Sequence, residues 1–146
     1  MTVPKPKYLL DVNVLVALTE EGHEHHRTAM RWFNTPRLDW GLCAFSESGL
    51  LRISANPKVG KLTVEEATTM LATLTGIPGY RFWPILTSWA DLTAPFRERI
   101  FGHNQITDAY LLGLAIHENG ILVTLDDAIP YLAGPKLSQH VLVLNS

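Results

Sequence analysis

The chain has 146 residues, of which 47% are hydrophobic and 18% are charged, and its formal net charge is −2. These values are ordinary for a globular protein, and a chain of this length is expected to form one domain, residues 1–146, with a full core. The charge shows no basic excess of the kind typical of nucleic-acid-binding proteins. A bound divalent cation would, however, reverse the local sign of an acidic site.

The chain has a single cysteine, Cys43, which excludes an internal disulfide and a cysteine-based zinc site. The first ten residues, MTVPKPKYLL, lack the apolar core of a signal peptide, and no run reaches membrane-spanning length. We therefore expect a cytoplasmic protein that makes no membrane contact. In that compartment a lone thiol behaves as a small apolar group of the core.

Short apolar runs alternate with helical patterns along the chain. The predicted elements of the first half are strand Tyr8–Leu10, helix Val12–Leu18, an amphipathic stretch His23–Phe33, strand Trp40–Ala44, helix Phe45–Ile53, and helix Val64–Leu74 with a capping box at Thr63. Those of the second half are strand Arg81–Ile85, a partly helical stretch Leu86–Arg99, helix Asp108–Glu118 capped by Thr107 and stopped by Asn119-Gly120, strand Ile121–Leu125 and strand Val141–Leu144. Apolar strands separated by helices indicate a mainly parallel sheet covered on both faces. The predicted fold class is α/β, a three-layer α/β/α sandwich.

Asp11 is set into an almost wholly apolar run, YLLDVNVLVAL. A carboxylate taken out of water is costly unless it is paired, hydrogen-bonded or bound to metal. Asp126 also ends a predicted strand, and Glu47 and Asp108 begin predicted helices. Because ligands of an open parallel sheet bind beyond the carboxyl ends of its strands, one edge of the sheet is expected to gather all four acids.

Four carboxylates at one edge would repel each other and raise one another's pKa values. A hard cation such as Mg²⁺ or Mn²⁺ removes this conflict, because it prefers oxygen ligands, and such a site suits phosphodiester hydrolysis. Each acid taken alone has a structural alternative. Asp108 can complement its helix dipole, Asp126 and Asp127 can be turn residues, and Glu47 can be a surface acid. Asp11 is the hardest to explain in this way.

Three segments, LLDVNVLVAL, SESGLLRIS and ITDAYLLGLAIHENGILVTLDDAI, resemble the PIN-domain ribonucleases, and more narrowly the VapC toxins of type II toxin–antitoxin pairs. The similarity runs from Tyr8 to about Val143. It implies an endoribonuclease that uses Mg²⁺ or Mn²⁺ and a metal-activated water, leaving a 5′-phosphate and a 3′-hydroxyl. It also implies a homodimer and a cognate antitoxin whose tail covers the active site.

The same resemblance implies a role for individual residues. The catalytic acids would be Asp11, Glu47, Asp108 and Asp126, with Asp11 and Asp108 as the main metal ligands. Three residues, Asn13, Thr124 and Asp127, would orient these acids. Whether Asp126 or Asp127 faces the metal is open at this point.

Several other side chains are candidates for contact with RNA. Arg52 shares a helix with Glu47, so it can meet an RNA phosphate, pair with an acid of the site or form a surface ion pair. Arg97 and Arg99 precede the loop that leads to Asp108, where His103 and Asn104 lie, and can guide RNA. The four tryptophans can stack on bases or fill the core, the more common role; they are Trp32, Trp40, Trp83 and Trp89.

The run GHEHHR invites a zinc interpretation through His23, His25 and His26. Adjacent residues of a helix point in different directions, so we expect instead that His26 packs near the first helix.

Two alternatives to a toxin ribonuclease remain. One is a catalytically weak PIN-like binding module. The other is a phosphatase of the haloacid-dehalogenase type, which normally carries a second aspartate two residues after the first, where this chain has Asn13.

Overall fold

The computed structural model describes residues 5–145 and contains one five-stranded parallel sheet in the order β3-β2-β1-β4-β5. The strands are β1 Lys7–Leu10, β2 Asp39–Leu42, β3 Tyr80–Phe82, β4 Ile121–Thr124 and β5 Val141–Val143. The α-helices are α1 Val12–Thr19, α2 His26–Phe33, α3 Ala44–Ser54, α4 Val64–Thr75, α5 Trp89–Thr93, α6 Ile106–His117 and α7 Ile129–Ala133. Short 3-10 helices cover Arg97–Arg99, His103–Gln105 and Pro135–His140.

The strand order contains one reversal. From β1 the chain builds β2 and β3 on one side, and then returns to the other side of β1 with β4 and β5. In the register, Leu9 pairs with Gly41 of β2, and Leu10 pairs with Val123 of β4. The point of reversal therefore lies between β1 and β4, and in open α/β sheets ligands bind at the carboxyl end of such a point.

Side chains of β1 alternate between two separate cores. Leu10 faces a core formed with α1–α4, and Leu9 faces a second core formed with α6 and α7. Both leucines are fully buried, as the period of two along a strand requires. This arrangement confirms the predicted three-layer sandwich.

Two predicted helix ends are confirmed. At the start of α4, Thr63 Oγ1 accepts a hydrogen bond from the Glu66 N–H at 3.0 Å, and Glu66 Oε1 accepts one from the Thr63 N–H at 2.9 Å. This is the reciprocal capping box. At the end of α6, Asn119 adopts a φ of 54°, a left-handed conformation common just after a helix.

The predicted start of α6 was wrong. The helix begins at Ile106, so Thr107 lies inside its first turn rather than capping it. The cause is Gln105, whose Oε1 accepts hydrogen bonds from the N–H groups of Phe101 and Gly102 and folds the chain into a 3-10 turn before the helix. A glutamine three residues after a glycine is not a recognised sequence signal for the start of a helix.

The other boundaries moved by a few residues. β3 ends at Phe82 rather than Ile85, because Pro84 cannot donate a ladder hydrogen bond. α2 begins at His26, since His23–His25 form a turn in which His23 Nδ1 accepts from the His25 N–H. The short helix α7 and the 3-10 helix after it were not predicted.

The interpretations of the remaining core side chains are largely confirmed. Cys43 and Trp40 are fully buried and Trp83 is 4% exposed, so these residues fill the core. His26 Nδ1 lies 2.7 Å from the Ala17 carbonyl oxygen of α1. Within residues 5–145, none of the helices is long and apolar enough to span a membrane.

Candidate active site

Asp11 lies at the carboxyl end of β1 and is 5% exposed. Its N–H donates to the Val123 carbonyl at 2.9 Å, which extends the pairing with β4 by one residue. Its Oδ1 accepts the Val12 N–H at 2.7 Å as the N-cap of α1, and its Oδ2 accepts the Thr124 hydroxyl at 2.8 Å. Both carboxylate oxygens are therefore hydrogen-bonded, which offsets part of the cost of their burial.

Thr124 is fully buried at the end of β4, and its hydroxyl uses its full hydrogen-bonding capacity. It donates to Asp11 and accepts from Asn13 Nδ2 at 3.2 Å and from the Asp126 N–H at 3.0 Å. Asn13 Oδ1 in turn accepts the Leu125 N–H at 3.1 Å, which fixes the orientation of the amide. This network ties the first turn of α1 to the end of β4.

Asp108 lies in the first turn of α6 and is half-buried. Burial raises its pKa to about 6, and the negative charges of Asp11 and Asp126 add to this effect. The pKa of Asp11 is also raised, chiefly by burial and further by Asp126, although the hydrogen bonds from Thr124 and Val12 act in the opposite direction. The structure thus brings three of the four predicted acids close enough to repel one another.

Glu47 lies in the first turn of α3, directly beyond β2, and is half-buried. Its charge raises the pKa of Tyr80, a residue of β3 whose phenol is mainly affected by burial. Glu47 therefore interacts electrostatically with Tyr80, whereas the three aspartates interact with one another. Tyr80 was missed from the sequence, because its proximity to Glu47 depends on the pairing of β2 with β3.

Asp126 and Asp127 differ in environment. Asp126 is half-buried, and its Oδ1 accepts the Ala128 N–H at 2.8 Å in the turn that precedes α7. Asp127 is exposed. Asp126 is the member of the pair whose charge acts on Asp11 and Asp108.

Arg52 lies in the last turn of α3 and is exposed. It is five residues beyond Glu47, which corresponds to about 7.5 Å along the helix axis. The helix therefore carries it away from the strand ends at which the aspartates gather.

The side chains at this edge offer only oxygen and amide groups, the hard donors that Mg²⁺ and Mn²⁺ prefer. In the part of the chain that the structure describes, no group of three or more His, Cys, Asp or Glu side chains is arranged to hold a metal ion by itself. Magnesium commonly uses one or two protein carboxylates and fills its other positions with water and substrate phosphate oxygens. The donor set and the mutual repulsion of the aspartates fit such a hydrated ion.

Comparison with known proteins gives a consistent family assignment. Residues 8–135 match the PIN domain. Ribonuclease VapC38 of Mycobacterium tuberculosis is 39% identical over 141 residues, covering 93% of this chain and 98% of the relative. Ribonuclease VapC44 of the same organism is 36% identical over 140 residues, with the same coverage.

Solved structures show the same fold. VapBC2 from Rickettsia felis, bound to a promoter DNA fragment, superposes with a TM-score of 0.66 over 95% of this chain and 99% of that chain, at 14% identity. VapC20 of Mycobacterium tuberculosis, described as a toxin that cleaves the sarcin-ricin loop, gives a TM-score of 0.55 over 77% and 84% of the two chains, at 18% identity. The resemblance drawn from the sequence motifs is confirmed, and the chain belongs to the PIN-domain family, in its VapC branch.

Proposed function

We propose that the chain is the toxin of a type II toxin–antitoxin pair, an endoribonuclease that hydrolyses phosphodiester bonds in RNA with Mg²⁺ or Mn²⁺ as cofactor. The observation that carries this proposal is the mutual repulsion of Asp11, Asp108 and Asp126 at the reversal point of the sheet. The match to the PIN domain over residues 8–135, and curated relatives named ribonucleases, support the same activity.

Asp11 and Asp108 would hold the cation, and Asp126 would extend the negative pocket beside them. When bound, the cation would lower the pKa of a water molecule and neutralise charge on the reacting phosphate. Thr124 would keep Asp11 in one rotamer through its hydrogen bond to Oδ2, and Asn13 would hold the Thr124 hydroxyl in place for that bond.

Three further residues have less direct roles in the proposal. Glu47 would complete the acidic pocket from the side of β2 and help to position the attacking water. Asp127, which is exposed, would support the turn that places Asp126, and Arg52 would contact the RNA backbone at a distance from the reacting phosphate.

We also propose that residues 1–146 act as one domain and that the active form is a cytoplasmic homodimer controlled by a cognate antitoxin. The Rickettsia felis relative was solved as a VapBC pair, which supports a protein partner of this kind. The cytoplasm would supply both the RNA substrate and a reducing environment for Cys43.

The test is cleavage of end-labelled RNA by the purified chain in Mg²⁺, in Mn²⁺ and in excess EDTA. We expect cleavage with either metal, none with EDTA, and losses of about 100-fold or more for Asp11→Asn and Asp108→Asn. Glu65→Gln, at an exposed acid in the first turn of α4, is the matched control and should cleave normally.

Two outcomes would overturn the proposal. Binding of RNA without cleavage in Mg²⁺ or Mn²⁺ would favour the binding module. Full activity in both aspartate variants, or in EDTA, would show that these acids and a metal ion do not carry the reaction.

The phosphatase alternative predicts release of phosphate from monoesters in place of RNA cleavage. Both ends of the Asn13 amide are hydrogen-bonded, and this residue does not supply the second acid that such a phosphatase uses.

A further inference from the structure

We infer that a basic cleft, about one helical turn along α7 from the contact of Asp126, holds a backbone phosphate of the RNA strand. The cleft, called here the Arg99 cleft, has a volume of about 330 Å³ and lies between the 3-10 helix Arg97–Arg99 and the segment that joins α7 to β5. Its lining includes Glu98, Arg99, Gly134 and Lys136. The inference deepens the proposed function and rests on it, since the ligand is the strand that the acidic site would cut.

A short chain of contacts connects the Arg99 cleft to the acidic site. Asp126 Oδ1 accepts the Ala128 N–H at 2.8 Å, and α7 starts at the next residue. Within α7, the carbonyl oxygen of Tyr131 accepts the Nε–H of Arg99 at 2.8 Å. The contact of Asp126 therefore lies at the N-terminal end of α7, and the contact of Arg99 lies about one helical turn further along, toward its C-terminal end.

Gly134 lets the Arg99 side chain lie directly against the backbone at the end of α7. Gly134 has a φ of 76°, and a Cβ built there would lie 2.8 Å from Arg99 Nε and 2.9 Å from its Cζ. Only a residue without a side chain lets the guanidinium pass this close to the backbone. Arg99 is half-buried as a result, and its direction is fixed before any ligand binds.

The neighbouring Arg97 makes a useful contrast. Its side chain donates to the Thr93 hydroxyl at 3.3 Å and to the Ala90 carbonyl, so it is committed to α5. Arg99 uses Nε for Tyr131, and no other described residue takes a hydrogen bond from its outer nitrogens, which can make the paired hydrogen bonds that guanidinium groups form with phosphate.

The charges of the Arg99 cleft favour an anion. Among residues 5–145, neither Arg99 nor Lys136 forms an ion pair with a carboxylate, and Glu98 is the one acid of the lining. The lining therefore carries one net positive charge in a chain whose formal net charge is −2. RNA that approaches three aspartates is repelled, and an oriented cation one helical turn away along α7 would draw the neighbouring backbone toward the site.

The first experiment measures RNA binding without cleavage. Fluorescence anisotropy with labelled single-stranded RNA is recorded in EDTA over a series of salt concentrations, with Asp108→Asn as the common background. We expect Arg99→Gln and Lys136→Gln each to weaken binding and to make the slope of log K against log salt shallower by about 0.7. Glu98→Gln should tighten binding, because it removes the negative charge of the lining.

Two exposed cations outside the cleft serve as controls, Arg31 at the end of α2 and Lys58 in the loop after α3. Arg31→Gln and Lys58→Gln should leave affinity and slope unchanged. Lys136 is exposed, so its variant also tests the inference if Arg99→Gln disturbs folding. In the active chain, Lys136→Gln should raise the KM for RNA and leave kcat unchanged.

The outcomes separate this inference from the proposed function. Normal cleavage by the unaltered chain, together with unchanged affinity and salt slope in both cation variants, would overturn the inference alone. Unchanged RNA binding with weakened antitoxin binding would assign the Arg99 cleft to an acidic protein segment, and would also overturn it. Absence of cleavage by the unaltered chain would refute the proposed function itself.

Discussion

The hydroxyl of Thr124 donates a hydrogen bond of 2.8 Å to Oδ2 of Asp11, across 113 positions of the sequence. The bond crosses between the carboxyl ends of β1 and β4, the two strands that flank the reversal point of the sheet. Through it, the most buried acid of the site takes its orientation from a strand formed near the other end of the chain.

Thr124→Val should impair both stability and activity. Valine has the shape of threonine but leaves Asp11 Oδ2, Asn13 Nδ2 and the Asp126 N–H without their partner. We expect the free energy of unfolding in urea to fall by about 2 kcal/mol. We expect RNA cleavage to fall by about 10- to 100-fold. Thr124→Ser keeps the hydroxyl and should recover most of the activity, and equal defects in the two variants would contradict this role.

Substitutions at the adjacent acids should separate Asp126 from Asp127. Asp126 interacts electrostatically with Asp11 and Asp108, whereas Asp127 is exposed. We expect Asp126→Asn to lower the cleavage rate strongly and Asp127→Asn to leave it within about twofold of the unaltered chain, as surface changes usually do. Equal losses in single-turnover cleavage would show that Asp127 also takes part.

The raised pKa of Asp108 makes the stability of the metal-free chain depend on pH. Its pKa in the folded chain is about 6, against an ordinary value of 3.8. Between these two values the folded chain binds more protons than the unfolded chain at this residue, so its contribution to stability falls as the pH rises through 6. The contribution is most favourable below pH 3.8.

Asp108→Asn removes that titration. In EDTA at pH 7–8 we therefore expect this variant to be more stable to urea than the unaltered chain, with the difference shrinking as the pH falls toward 4. Added Mg²⁺ should stabilise the unaltered chain more than the variant, because the cation neutralises the same repulsion. A stability difference that does not change with pH would contradict the electrostatic account.

Thr63→Ala should lower stability without affecting the chemistry. It removes the hydroxyl that accepts the Glu66 N–H at the start of α4, outside the group of aspartates. The expected loss is about 1 kcal/mol in the free energy of unfolding. The specific activity of the folded fraction should be unchanged, and a selective loss of cleavage would mean that α4 supports the site directly.

The position of the aspartates was predictable for a simple reason. Each of them ends a strand or begins a helix, and in a parallel sheet these positions fall on one edge whatever the details of packing. Burial of Asp11 was also readable, since apolar residues flank it on both sides. The PIN-like motifs then supplied the assignment that the comparisons confirmed.

Other features of the structure could not be predicted from local sequence patterns. Glu47 affects Tyr80 because β3 pairs with β2, and no local pattern in the sequence encodes that pairing. The early start of α6 arose from the side chain of Gln105, which competes with the cap predicted at Thr107. The fixed direction of Arg99 required the positive φ of Gly134, which a Gly-Pro pair indicates only as a turn.

The strand order also has a consequence for synthesis of the toxin. Asp11 leaves the ribosome well before its hydroxyl partner, Thr124, and before two of the acids beside it, Asp108 and Asp126. A polypeptide translated only part of the way to Asp126 therefore lacks the assembled active site. The cell that makes this protein would be exposed to a competent nuclease only after the ribosome has passed Asp126.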